Sequence, residues 1–328
     1  MLRSLKNDSG VVLILTLLVI SLIVALTLEF NRARWSDLHS ATNLKESIIL
    51  GCIARSGFDY ALAVLLEDAS VTDFDSLYED WTDSEALSSG AAFMFDDGRL
   101  ELRIEDHSGR IQINGLVKES GYDKTKEKLF SNFLGSEEFG LEPEEVDNIM
   151  SAIKDWIDSD DDVTSFGGAE NLYYQSLEEP YPCKNAPPEF LEGLLLVRWI
   201  TRDLFYGTDE KPGISAYLST HGEGLININT ADPLILQAVS ECIFDQDMSG
   251  DWIEYRDNGK NDLSKYENYP GMSGMNSQQK KTAATLLTVS STAFEIHSHG
   301  FKGTMGKRVI GMIERQANVL KTLSWKTE

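Results

Sequence analysis

The chain has 328 residues, a quarter of them charged, with 53 acidic against 29 basic side chains and a formal charge of −24. A body this acidic repels nucleic acid and anionic lipid headgroups, and suits either a soluble acidic domain or one that binds cations. The three cysteines, Cys52, Cys183 and Cys242, are too few and too scattered for a disulfide framework or a paired-cysteine metal site; Cys183 and Cys242 are able to pair in an oxidising compartment, which leaves one thiol over.

Residues 1–10, MLRSLKNDSG, are polar and end in Gly10. From Val11 to Leu28 only Thr16, Ser21 and Thr27 interrupt an apolar run. With Glu29 and Phe30 it spans roughly 30 Å as a helix, about one bilayer core, so residues 11–30 are read as membrane-spanning. A secretory signal places its small residues after the apolar core, whereas here they precede it. Two readings fit these residues, an ordinary single-pass anchor and a leader cut after Gly10. Arg3 and Lys6 on one side match Arg32 and Arg34 on the other, so the charge count leaves orientation open.

Beyond Phe30 no helix breaker appears. Trp35, Leu38, Ala41, Leu44, Ile48, Ile53, Phe58, Leu62 and Leu65 recur mostly three and four apart, which extends the helix as an amphipathic half over residues 31–68. Residues 69–92 are rich in Ser and Asp and read as a loop with at most a short helix. Alternation then predicts strands near 92–96, 99–106 and 110–114, with Asp97-Gly98 and Ser108-Gly109 as turns. Asp106-His107-Ser108 has the residue types of a hydrolase triad, but neighbours along a strand and turn cannot converge as a triad must. The words LFSNFLG, PEEVDNIMSAIKDWI and PPEFLEGLLLVRWI predict helices, with Pro143 and Pro187 at helix starts. FEIHSHGF and KRVIGMIERQ predict a second strand pair around residues 302–304. His297 and His299 share a strand face, but the sequence shows no third metal ligand near them.

The leader, with serine and glycine ahead of an apolar helix, resembles that of type IV prepilins. The resemblance implies cleavage between Gly10 and Val11, methylation of the new Val11 amine, and retention of the helix as a filament stalk. Pilin-like subunits mostly carry glutamate at the fifth mature position, and here Leu15 stands there. That lack, the helical block inserted between strands, and the words HSGRIQIN, DWIDSDDD followed by GGAENLYY, PYPCKNAPP, LLLVRWI and GLININTAD together resemble the K family of type II secretion minor pseudopilins.

The resemblance implies an α+β, pilin-like fold: a long N-terminal helix packed on a small antiparallel sheet, with a large inserted α-helical domain. The expected divisions are a leader at 1–10, stalk halves at 11–30 and 31–68, a first pilin-like part at 69–116, and the insert at 117–217. Residues 218–328 would hold a helix-hairpin-helix-like segment and the closing strands. The implied role is non-enzymatic: a subunit at the pseudopilus tip that initiates or caps the filament driving export of folded proteins. It would sit in the inner membrane with its C-terminal domain in the periplasm. Its implied partners are minor pseudopilins I and J, with H below them, the prepilin peptidase and the inner-membrane assembly platform.

Chemistry concentrates in Asp158, Asp160, Asp161, Asp162 and Glu170. Crowded carboxylates repel one another unless a hard cation neutralises them, and oxygen ligands at alternate positions suit calcium. The 158-160-162 spacing copies the opening of an EF-hand loop. It then departs, with Val163 at the glycine position and Glu170 one residue late. From spacing alone the segment is either a bespoke calcium loop, closed by Gly167-Gly168 so that Glu170 reaches back, or a solvated acidic loop. The pseudopilin K resemblance implies calcium.

Three rival readings are kept. A tip-located minor pilin of a type IV pilus or DNA-uptake system shares the leader. The segment from GLININTAD through YPGMSGM resembles helix-hairpin-helix units that hold DNA phosphates, yet seven acidic residues between Asp245 and Glu267 face only Arg256, Lys260 and Lys265, so no nucleic acid is expected. A membrane-anchored metal-dependent hydrolase using the acidic cluster lacks an accompanying histidine and any familiar nucleotide or hydrolase motif.

Overall fold

The computed structural model describes residues 9–92, 95, 98–118, 121–317 and 319–328. The expected leader falls mostly on residues 1–8, which lie outside the described residues.

One helix, α1, runs from Ser9 to Val71, a few residues beyond the stalk end expected near 66–68. Residues 10–45 are exposed throughout. The three hydroxyls of the apolar run are satisfied inside the helix: Thr16 donates to the Leu13 carbonyl at 2.9 Å, Ser21 to Leu17 at 2.7 Å and Thr27 to Ile23 at 2.7 Å. A bare apolar helix with no unmet hydrogen bond meets the requirement for standing in lipid. From Glu46, which pairs with Lys302 at 3.3 Å, the helix begins to touch the head. Leu50, Ile53, Ala54, Phe58, Ala61 and Leu65 are then buried at the three- and four-residue spacing read from the sequence.

That stripe packs on a four-stranded antiparallel sheet of β1 (Arg99–Asp106), β2 (Ala293–Lys302), β3 (Met305–Gln316) and β4 (Val319–Thr327), ordered as numbered. Leu100, Leu102 and Ile104 alternate inward from β1, and Phe294 and Ile296 from β2 pack with Trp81, Leu87, Val309 and Ile313 over the helix. Contact is close at Gly300, where a side-chain carbon would sit 2.6 Å from the Leu50 carbonyl oxygen and 3.0 Å from the Ala54 nitrogen. Glycine lets α1 lie on the strand there.

Several sequence expectations change. The strand expected at 92–96 is not formed where the chain is described: Ala92 ends helix α2 (Ser84–Ala92), Phe95 is outside any strand, and 93, 94, 96 and 97 lie outside the described residues. The strand expected at 110–114 shortens to Ile111–Gln112, which pairs in parallel with Leu218–Ser219 away from the main sheet, before a 3-10 turn at Ile113–Gly115. The helix expected from Pro187 is only a 3-10 segment, Leu191–Leu196. The chain turns extended at Val197 and Trp199 takes a positive φ of 73°, so the apolar run does not continue as a regular helix.

Between β1 and β2 lies a helical body built on α3 (Lys124–Leu134), α4 (Pro143–Ile157), α5 (Pro233–Phe244), α6 (Ser249–Asp257) and α7 (Ser277–Leu286). Asp123 caps α3 by accepting from the Thr125 and Lys126 amides, and Pro143 opens α4. One buried core continues from Ile111 to Leu287 through Phe130, Phe133, Ile153, Trp156, Leu236 and Trp252. The division expected at 217 therefore falls inside a single core. The helix-hairpin-helix-like segment shares that core with the earlier helices.

A polar junction fastens this body to the stalk and sheet. Arg315 on β3 pairs with Asp75 at 2.5 Å and with Asp68 at 3.1 Å. Asn227 and Asn229, the asparagines of GLININTAD, are buried and donate to the Asp75 carbonyl at 3.1 and 3.0 Å.

Candidate functional site

The acidic segment begins where α4 ends. Asp158 caps the helix C-terminus with its amide on the Lys154 carbonyl, and its side chain is 1% exposed. The chain then loops out through exposed residues 161–166 and returns at Gly167 and Gly168. Neither glycine has room for a side chain, Gly167 lying against Asn148 and Gly168 against the Asp155 carboxylate. This close return brings Glu170 back beneath α4 at 2% exposure.

The structure thus brings Asp158, Asp160 and Glu170 together, with one carboxylate oxygen of each inside a 4.8 Å circle. Asp161 and Asp162 stand apart from that trio. Asp161 Oδ1 instead accepts from Asn171 Nδ2 at 2.6 Å and Asn185 Nδ2 at 3.1 Å, bracing the loop. Asp162 is exposed, and its amide donates to Asp160 Oδ1 at 3.0 Å.

The hydrogen-bond accounting shows what the trio wants. Asp158 Oδ2 accepts from Lys154 Nζ at 2.9 Å, but Asp158 Oδ1 and both Glu170 oxygens are buried with no donor. Burial pushes the Glu170 carboxyl up to about 7, helped by the neighbouring charges of Asp155 and Asp158. Burial also raises Asp158, against the pull of Lys154. Buried anionic oxygens without partners are costly, and a hard divalent cation resolves that cost with the ligand type calcium prefers. The residues present therefore fit calcium. The sequence reading missed Asn185, held at φ 44° by the PYPCKNAPP turn, whose buried Oδ1 also lacks a partner beside Asp160 and Asp161. An asparagine among prolines was its only signal. Cys183, adjacent to Glu170, is a thiol pushed up to about 12 by burial, and all three cysteines, Cys183 and Cys242 included, are free.

The other marked residues sort differently. Asp106 accepts from Thr230 and Ser291 and ties the sheet to the helical body, while His107 Nδ1 meets Ser219 at 3.1 Å, so 106–108 form no triad. In the helix-hairpin-helix-like segment Arg256 is buried, donating to the Ala231 carbonyl at 2.8 Å and pairing with Asp257. That arginine is used in packing and does not face a phosphate backbone. At the other end of the molecule, Gly10, Val11 and Leu15 all lie in the exposed start of α1.

A sheet packed on the second half of a stalk helix and a helical body inserted between strands define a pilin-like subunit, with one helix long and apolar enough to cross a membrane. The comparisons make this specific. Residues 109–207 match the family model described as type II secretion system (T2SS), protein K. Type II secretion system protein K of Aeromonas hydrophila is 28% identical over 240 residues, 70% of this chain and 69% of the relative. That of Pseudomonas aeruginosa is 27% identical over 243 residues, 72% of this chain and 69% of the relative. The fold matches a chain of the solved GspK-GspI-GspJ complex from enterotoxigenic Escherichia coli with a TM-score of 0.69 at 17% identity, covering 88% of this chain and 98% of that one. These likenesses support a minor pseudopilin of the type II secretion system, similar to its protein K.

Proposed function

We propose that this subunit occupies the tip of the pseudopilus, starting or capping the filament, after cleavage between Gly10 and Val11. The observation that carries the reading is a broad head on a stalk whose first part is unpartnered. Residues 10–45 offer a full helix surface to neighbouring stalks, including exposed Leu38 and Leu44, while the helical body widens the head beyond the sheet. Leu15 supports the same place, because a subunit without a carboxylate there has none to pair with the amino terminus of a subunit ahead of it.

In this reading the chain is held in the inner membrane by residues 11–30, its head lies in the periplasm, and subunits of the I and J type bundle against its stalk. A solved GspK-GspI-GspJ complex of the same fold supports that choice of partners. Calcium at Asp158, Asp160 and Glu170 would rigidify the loop between α4 and Glu170. Mass spectrometry of the membrane-extracted protein is expected to find a mature chain starting at a methylated Val11, and immunogold labelling is expected only at filament ends. A chain retaining Met1, or label spread along shafts, overturns the proposal.

A further inference from the structure

A second cluster lies on the far side of the sheet, outside the carboxylate loop. Glu105 is the last residue but one of β1, His107 begins the turn after it, and on β2 Glu295 lies directly across from Glu105 and His297 across from Arg103. Their spacing is close: Glu295 Oε2 stands 3.1 Å from His297 Nε2 and 3.5 Å from His107 Nε2, and Glu105 Oε1 is 3.8 Å from His297 Nε2. Ligand atoms of Glu105, His107 and Glu295 all fall within 4.8 Å of one another. A tetrahedral ion with ligand bonds of about 2.0–2.1 Å separates its ligand atoms by about 3.3 Å, which these gaps approach.

His107 supplies the independent pointer. It is 7% exposed, and its Nε2 has no hydrogen-bond partner. Ser219 Oγ, itself held by the His221 amide at 3.0 Å and in contact with the His221 carbonyl at 3.1 Å, meets His107 Nδ1 at 3.1 Å and fixes the ring. Nε2 is thereby turned toward the Glu295 carboxylate, 3.5 Å away. A ring nitrogen fixed by a donor bond on its other side is how metal-ligating imidazoles are oriented. A cavity of about 550 Å³, lined by His107, Arg110, His221, Glu295, Glu189 and Glu192, opens onto the cluster and gives an ion access.

We propose that Glu105, His107, Glu295 and His297 bind a borderline divalent cation of the zinc class, which fastens the returning 218–221 segment of the helical body to the sheet. Imidazole nitrogens select such a metal over calcium, which takes oxygen ligands. Arg103 and Arg110 both pair with Glu105 and compete with the ion; Arg103 is 60% exposed and free to swing into solvent when metal enters.

The test uses the full chain in detergent, stripped of metal and then held in excess calcium so that the carboxylate loop is filled. Calorimetric titration with zinc is expected to show one equivalent, and cobalt in its place is expected to give visible ligand-field bands. His107→Gln, Glu295→Gln and His297→Gln should each weaken zinc more than about tenfold and erase the bands, whereas Glu170→Gln should leave both unchanged. His297, less buried than His107, gives the decisive variant if His107→Gln does not fold. Absence of zinc binding in the wild type, binding lost only with Glu170→Gln, or affinity unmoved by His297→Gln each overturns the proposal.

Discussion

Glu170 is a carboxylate sealed from water with no donor on either oxygen, so in the absence of a cation a proton is its remaining partner. Its pKa rises from 4.5 to about 7, so between those values the folded, metal-free chain holds a proton that the unfolded chain releases. Stability therefore falls as pH rises through that window, and the calcium gain should grow in step. Thermal melts in chelator are expected to drop from pH 5 to pH 8. Calcium at about a hundred times its dissociation constant should restore about 2.7 kcal/mol at pH 8 and much less at pH 5. Glu170→Gln should flatten part of the chelator profile and remove most of the calcium gain, and Asp160→Ala should reduce it. Asp68, raised to about 7 mainly by burial, contributes to the same slope, so Glu170→Gln should not abolish the slope entirely. At this scale the alternating aspartates were legible because ligand spacing is written along the chain. Asn185 and the Glu105-His107-Glu295 group were not, since folding brings them together from distant segments.

Among the elements, strands with one buried face announced themselves: β1 was read at 99–106, where the structure has it, because Leu100, Leu102 and Ile104 alternate inward. β4 has no such signal, since as the sheet's edge strand it is exposed along almost its whole length and its apolar alternation is confined to Leu323 and Trp325. Over 187–200 the apolar spacing suggested a helix, but the extended backbone at Val197 and the positive φ of Trp199, 73°, leave only a 3-10 segment. The α1 packing on β2 depends on Gly300, whose substitute carbon would meet the Leu50 carbonyl, and a backbone atom cannot swing aside. Gly300→Ala is expected to destabilise the head by about 1–3 kcal/mol, seen as a lower denaturant midpoint with unchanged slope. A neutral result would mean that α1 sits farther from the sheet than described.

For the whole molecule, the stalk and the pilin-like frame could be read from hydropathy, whereas the extent of the insert could not. Composition does not reveal that Ile111 and Leu287 share a core. Leu15→Glu is expected to leave membrane insertion intact, since the site lies near one end of the span, but to move the subunit from filament ends into shafts and to lower secretion. Normal secretion with end-only labelling would remove any special role for that position. The strand order has a further consequence for biogenesis. β1 finds its neighbour only at Ala293, so during vectorial synthesis it stays orphaned while the helical body between them assembles. Pulse-labelled chains challenged with protease should accordingly show α4 shielded early and residues 99–106 shielded last. Until then the strand stays unpaired and needs a holding factor to keep it from sticking to others.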